Sequence, residues 1–345
     1  MPAAAVATSI ALGVYLLLGA LGVGAGARTV TSSAGTQTPV ATYEERTPHV
    51  LSSVIVTGVE GGVRGASEAP PSQLPPLPAH AFAAPVKEYL GYAARQVGLA
   101  ELQIPALEQA LAGGGRTAAE GAWRAAYADY LRLGGTYLTG QLATLNQAID
   151  GNAGGLTGGV ASPDFTGFHR IEYGLWTGAA PQTLVPLAVR LGADLRTLHG
   201  ILPQVSITPL EYATRTHEIL EDAVRDLLSG VDVPWSGEGV VASAAGLEAT
   251  EELVGTLRSV LKGREGVMPL LEVQLPALSA TFRSLATAHR GRLPTNGQLT
   301  QQQSESLDAA VGAALEALAQ VPGALETEPL RQTPAIPGDD VRVDP

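Results

Sequence analysis

Asp164-Phe165-Thr166-Gly167-Phe168-His169-Arg170-Ile171-Glu172-Tyr173-Gly174-Leu175-Trp176 is the stretch on which the reading of this chain turns. At about 100° per residue on a helix, Phe165, Phe168, Leu175 and Trp176 fall on one side. His169 and Glu172, three positions apart, meet on that same side, while Arg170 points away. The stretch predicts an amphipathic helix with an imidazole and a carboxylate on its core-facing side. A buried carboxylate without a partner is costly enough to require neutralisation, a counter-group or a metal. Two readings fit the pair: half of a metal site, or a hydrogen-bonded pair inside the core.

Outward from this stretch the pattern stays helical. Segments near 85–98, 101–112, 117–148, 165–177, 181–200, 208–229, 239–262, 267–289 and 300–320 carry apolar residues at three- and four-residue spacing. Glycine and proline punctuate them at Gly113-Gly114-Gly115, Gly151 to Gly159, Gly178 to Pro181 and Gly263 to Pro269. No series of strands is legible between 85 and 322. The prediction is an all-α fold, built as one up-and-down helical bundle or as two packed together.

The flanks differ in composition. Residues 3–27 are almost wholly Ala, Val, Leu, Ile and Gly and end in Ala25-Gly26-Ala27, a small-x-small pattern. Residues 1–27 read as a cleaved signal peptide, although its positive n-region is missing, or as a retained membrane anchor. Either reading puts the remainder outside the cytoplasmic membrane, secreted or in the cell envelope. Residues 28–80 form a flexible Thr/Ser/Gly-rich segment, with a strand or two expected within Val50 to Val63, and a linker over Pro70 to Pro78. A helical domain over 81–322 follows, then an acidic, proline-containing tail over 323–345 that is expected to be disordered.

The formal net charge of −12 argues against nucleic acid as a partner and suits cation binding. The chain has no cysteine, which excludes disulfides, thiolate ligands and a lipoprotein acylation site. A second pair lies in Arg215-Thr216-His217-Glu218-Ile219-Leu220-Glu221-Asp222. Leu220, Val224, Leu227 and Leu228 define an inward face that takes in His217 and has Glu221 at its edge. The pair is read as addressing one point of a bundle interior, or as a core histidine bonded to its neighbour. Tyr130 and Tyr137 are packed tyrosines or phenolate donors, and His49, His80, His199 and His289 carry no assigned role.

Gly167-Phe168-His169-Arg170-Ile171-Glu172 resembles the Gly-x-His-x-x-Glu motif of the imelysin-like family. Its flanks resemble the EfeO branch in its actinobacterial form, and the likeness extends over about 85 to 322. The resemblance implies two packed four-helix bundles and an extracytoplasmic metal-binding component of an iron-uptake system. It implies delivery of iron to a membrane permease, with a haem-peroxidase-type protein as a further partner. Iron is then the expected metal and zinc the second. The implied ligands are His169, Glu172 and Glu221, with His217 beside them, and Glu248, which only the resemblance singles out.

There are departures. Leu131 stands where the family commonly has a carboxylate, and Gly246 where it has an asparagine. The region before the helical domain is too short for the cupredoxin-like sandwich many EfeO-type proteins carry, so no copper site is expected there. Two alternatives follow: a degenerate bundle without a complete metal site, or the metallopeptidase that the family's name implies. The peptidase signature His-Glu-x-x-His is absent, because Glu221 occupies the place of its second histidine after His217-Glu218.

Overall fold

Tyr89, Ala93, Val97, Ala100, Ile104, Leu107 and Leu111 recur every third or fourth residue and are all buried, which makes them the spine of the first helix. The computed structural model describes residues 77–134, 142–154, 156–264 and 266–325. In it α1 (Ala83–Ala112) runs unbroken through the expected gap between 98 and 101 and through Pro105. Proline there removes one backbone hydrogen bond, but the buried stripe continues across it and holds the helix in register. Gly98 faces the ring of His199, where a Cβ would stand 3.3 Å from Cε1, so the two segments approach closely.

The remaining helices are α2 (Arg116–Leu131), α3 (Ala143–Asp150), α4 (Gly167–Trp176), α5 (Val185–Ile201), α6 (Pro209–Asp222), α7 (Gly239–Leu261), α8 (Val267–Ala288), α9 (Gln301–Leu318) and the short α10 (Val321–Leu325). The segment expected over 117–148 divides into α2 and α3. That over 208–229 is α6 continued by a π-helical turn, Ala223–Leu228. Thr208 with Glu211, and Thr300 with Gln303, form reciprocal capping boxes that start α6 and α9.

The helices close into two four-membered sets. In the first, α1 packs on α2 and α5, and α4 packs on α2 and α5. In the second, α6 packs on α7 and α9, and α8 packs on the same two. Helix α7 also lies against α1 and α2, and one continuous apolar core runs through both sets. This is the all-α bundle expected, and the described residues contain no strand. Helix α10 carries the helical domain past residue 322, because Val321, Ala324 and Leu325 are buried. No helix among the described residues is long and apolar enough to cross a membrane. The expected signal or anchor, the β-like stretch Val50 to Val63, Tyr137 and the tail from residue 326 lie outside the described residues.

Candidate metal centre

The centre begins with two glycines. Helix α3 ends at Asp150, and Gly151 follows in the left-handed region at φ 77°. Gly167, at φ 73°, opens α4. A Cβ on Gly151 would lie 1.5 Å from the Thr166 carbonyl oxygen, and one on Gly167 would lie 2.1 Å from that of Ile149. Only glycine allows the two backbones to touch. The Thr166 hydroxyl also donates to the Ala148 carbonyl at 3.0 Å. The end of α3 is thereby laid against the first turn of α4, with Asp150 beside His169.

His169 uses its two ring nitrogens differently. Nδ1 lies 2.9 Å from Glu172 Oε2, while Glu172 Oε1 accepts the Ser236 backbone N–H at 2.8 Å. Nε2 faces Asp150 Oδ1 at 3.6 Å, Asp232 Oδ2 at 3.5 Å and the Tyr127 hydroxyl at 3.4 Å. One donor atom each from Asp150, His169 and Asp232 falls within 4.8 Å of the others. Tyr127 donates to Asp232 Oδ2 at 3.1 Å and Asn152 Nδ2 donates to Asp232 Oδ1 at 3.0 Å. The Tyr127 ring is held by stacking on Trp123 at 4.9 Å, and Trp123 is pinned by its indole N–H to the Phe168 carbonyl. The His169 side chain is 2% exposed, that of Asp232 17% and that of Asp150 31%, so the centre opens on the Asp150 side.

Charge is concentrated here. Burial acts to lower the His169 pKa, but the Asp232 and Asp150 carboxylates outweigh it and hold the ring well above its usual value. Burial raises Asp150, and His169 offsets that only in part. For Asp232 burial also pushes upward, but His169 and the hydrogen bonds from His169, Tyr127 and Asn152 prevail and keep it below the usual carboxylate value. Burial and the charges of Asp232, Asp150 and Glu172 push the Tyr127 phenol well up. The two carboxylates thus favour a proton on His169 Nε2, the position facing Asp150 and Asp232 where a cation held by all three groups would sit.

The donor set fits a metal. One imidazole and two carboxylates, with a phenol at hand and no thiolate, suit hard or borderline ions such as iron, manganese or zinc. Three protein donors and one open side leave room for water or for release. Glu172 occupies the outer position in which a carboxylate fixes the tautomer and orientation of a ligating histidine.

Of the residues singled out by sequence, His169 stands in the centre and Glu172 directly behind it. The other three lie elsewhere. His217 and Glu221 pair with each other at 3.8 Å, and the Glu221 side chain is 58% exposed. Leu220 and Ala223 take the inward positions beside Glu221, which turns its carboxylate out. Glu248 is 54% exposed and held by Arg132 at 2.6 Å, because Leu247 and Ala249 on either side of it face the core. Leu131, in the place of an expected acid, packs against that core.

Asp150, Asp232 and Tyr127 were missed. Asp150 and Asp232 sit where a helix ends and in a connection between helices, so helical periodicity assigns neither a face. One signal was available: between Arg225 and Arg258 the chain has no basic residue to pair Asp232.

No protein-family model matches the chain. Curated relatives do. The iron uptake system component EfeM of Pseudomonas syringae pv. syringae is 24% identical over 121 residues, 35% of this chain and 42% of the relative. EfeO of Escherichia coli K12, also an iron uptake system component, is 24% identical over 183 residues, 52% of this chain and 48% of the relative. EfeO of Yersinia pseudotuberculosis is 24% identical over 249 residues, 72% of this chain and 65% of the relative. The chain thus covers about half to two thirds of the latter two relatives' length and less of the first. With an all-α fold and a histidine set among carboxylates, it is similar to iron uptake system components of the EfeO and EfeM kind.

Proposed function

We propose that the protein is an extracytoplasmic component of an iron-uptake system that takes up iron at Asp150, His169 and Asp232. It passes the metal to a membrane permease, with a haem-peroxidase-type protein as a further partner. The observation that supports this most directly is the convergence of three donor atoms within 4.8 Å on the side of His169 opposite Glu172. Iron is the cargo. A site with two carboxylates and one imidazole binds it through oxygen and nitrogen, and the open Asp150 side gives a route for release. Glu172 keeps the Nε2 lone pair of His169 aimed at the ion instead of binding it directly.

The test is titration of the purified protein with ferrous iron without oxygen, ferric citrate and zinc, read by calorimetry and by metal content after gel filtration. One equivalent is expected, absent in His169→Ala and weakened at least tenfold in Asp232→Asn. His217→Ala and Glu248→Gln are expected to bind as the parent does. Equal uptake by His169→Ala and the parent would refute the site.

A further inference from the structure

Asp232 is carried on residues 229–238, between the π-helical turn that ends at Leu228 and the start of α7 at Gly239. Both ends of this connection are tied to one side chain from the link between α8 and α9. Asn296 Nδ2 donates to the Leu227 carbonyl at 2.7 Å and to that of Leu228 at 3.2 Å. Its Oδ1 accepts the Val240 N–H at 3.1 Å. Its backbone N–H donates to the Gly237 carbonyl at 2.8 Å. Carbonyls at one helix end and an amide in the first turn of the next are groups a helix cannot pair internally. Asn296 serves both, with the Leu227 carbonyl accepting the Gly230 N–H at 3.0 Å as well.

The surroundings are shaped to this amide. A Cβ on Gly239 would lie 2.0 Å from the Leu227 carbonyl oxygen and 2.6 Å from both Nδ2 and Oδ1 of Asn296. Glycine at 239 is therefore required for the two ends to close over Asn296. The turn Asn296–Gln298 is itself fixed by a capping box between Thr295 and Gln298. Inside the closed connection, Asp232 N–H donates to the Asp226 carbonyl at 2.9 Å, and Trp235 lies edge-on against Tyr173 of α4 with centroids 5.1 Å apart.

We propose that Asn296 is a positioning residue for the metal centre. It sets the separation and direction of the two ends of residues 229–238, and through them the place of the Asp232 carboxylate opposite His169. Asn296 belongs to the second helical set, whereas His169 is on α4 of the first and Asp150 ends α3, which packs on α4 and α5. The ligand geometry therefore depends on how the second set is tied. This rests on the reading of Asp150, His169 and Asp232 as metal ligands.

The experiment compares the parent, Asn296→Ala, Asn296→Asp and Thr300→Ala by zinc titration, thermal melting and amide hydrogen exchange of the metal-free protein. Thr300→Ala removes the nearby α9 cap, whose hydrogen bonds are with Gln303. Expected for Asn296→Ala is at least a tenfold loss of zinc affinity and faster exchange over 229–238, with α1 and α2 still protected. Thr300→Ala should lower the melting temperature and leave the affinity unchanged. Asn296→Asp keeps the acceptor for Val240 and loses the donor, and an intermediate affinity is expected. Unchanged affinity in both Asn296 variants, or an equal loss in Thr300→Ala, overturns the proposal while leaving the site reading intact. No zinc uptake by the parent overturns both. Should Asn296→Ala not fold, the affinity and exchange of Asn296→Asp decide.

Discussion

At the scale of single residues, the division of labour around the imidazole is what the structure adds. Glu172 takes Nδ1 and the Ser236 amide, and the carboxylates of Asp150 and Asp232 take the Nε2 side. Losing an outer carboxylate of this kind lowers metal affinity by about 10- to 100-fold. Glu172→Gln is therefore expected to weaken iron and zinc binding by that factor without abolishing it, whereas His169→Ala abolishes it. Competition titration with a chromophoric chelator separates the two. The same geometry fixes a pH dependence. His169 is held protonated well above its usual range when no metal is bound, and the metal must displace that proton. Apparent affinity should then rise by about tenfold per pH unit up to the raised pKa, since one proton leaves per ion bound. A flat affinity between pH 6 and 7, taken as about one unit of titration, would exclude proton-coupled binding at His169.

At the scale of elements, the contact between α3 and α4 is made of backbone. Gly167→Ala places a Cβ against the Ile149 carbonyl, with a left-handed φ in addition. The φ strain alone costs about 1–2 kcal/mol, and the clash must be relieved by moving α3, which carries Asp150. Gly167→Ala is expected to lose more than about 2 kcal/mol by urea unfolding and to lose metal binding. Gly178→Ala is the contrast: its φ is 94°, yet its Cβ meets nothing within 4 Å. It should cost only the strain and leave binding unchanged.

The end of α6 gives a second element-level test. Burial pushes Asp222 from 3.8 up to about 6, with Arg225 opposing. A carboxylate whose folded pKa is raised binds protons more tightly in the folded state, so it lowers stability as pH rises from about 4 to about 6. Asp222→Asn removes that loss, and Arg225 keeps Asp226 as a partner. The melting temperature of Asp222→Asn should exceed the parent's increasingly over this interval and stay higher above it.

At the scale of the whole helical domain, the two sets share one core through α7. A shared core predicts a single cooperative unfolding transition by calorimetry, not two. His169 comes from α4 of the first set and Asp150 from the end of α3, which packs on α4 and α5, while Asp232 comes from the connection between α6 and α7 of the second. A bound ion therefore bridges both sets and should shift that one transition as a whole. At a hundredfold excess over Kd the gain is about 2.7 kcal/mol. A metal-dependent shift confined to part of the melting curve would show that the ion stabilises one set alone.

The sequence by itself determined the helical class and most of the helices, and it singled out His169 and Glu172 as a core-facing pair. Apolar spacing at 3.6 residues is a local property, so α4 and α7 to α9 are legible one turn at a time. The amphipathic placement of His169 and Glu172 is legible in the same way. Two limits came from that locality. The segments expected at 85–98 and 101–112 are one helix because the buried stripe runs across the gap, and Glu221 looked close to inward until Leu220 and Ala223 filled the core beside it. What only the tertiary structure decided is which carboxylates meet His169. Asp150 and Asp232 lie at the end of α3 and between α6 and α7, where no periodicity points a side chain. Their convergence depends on the close approach at Gly151 and Gly167 and on the closure of residues 229–238 over Asn296, contacts between segments distant in the chain.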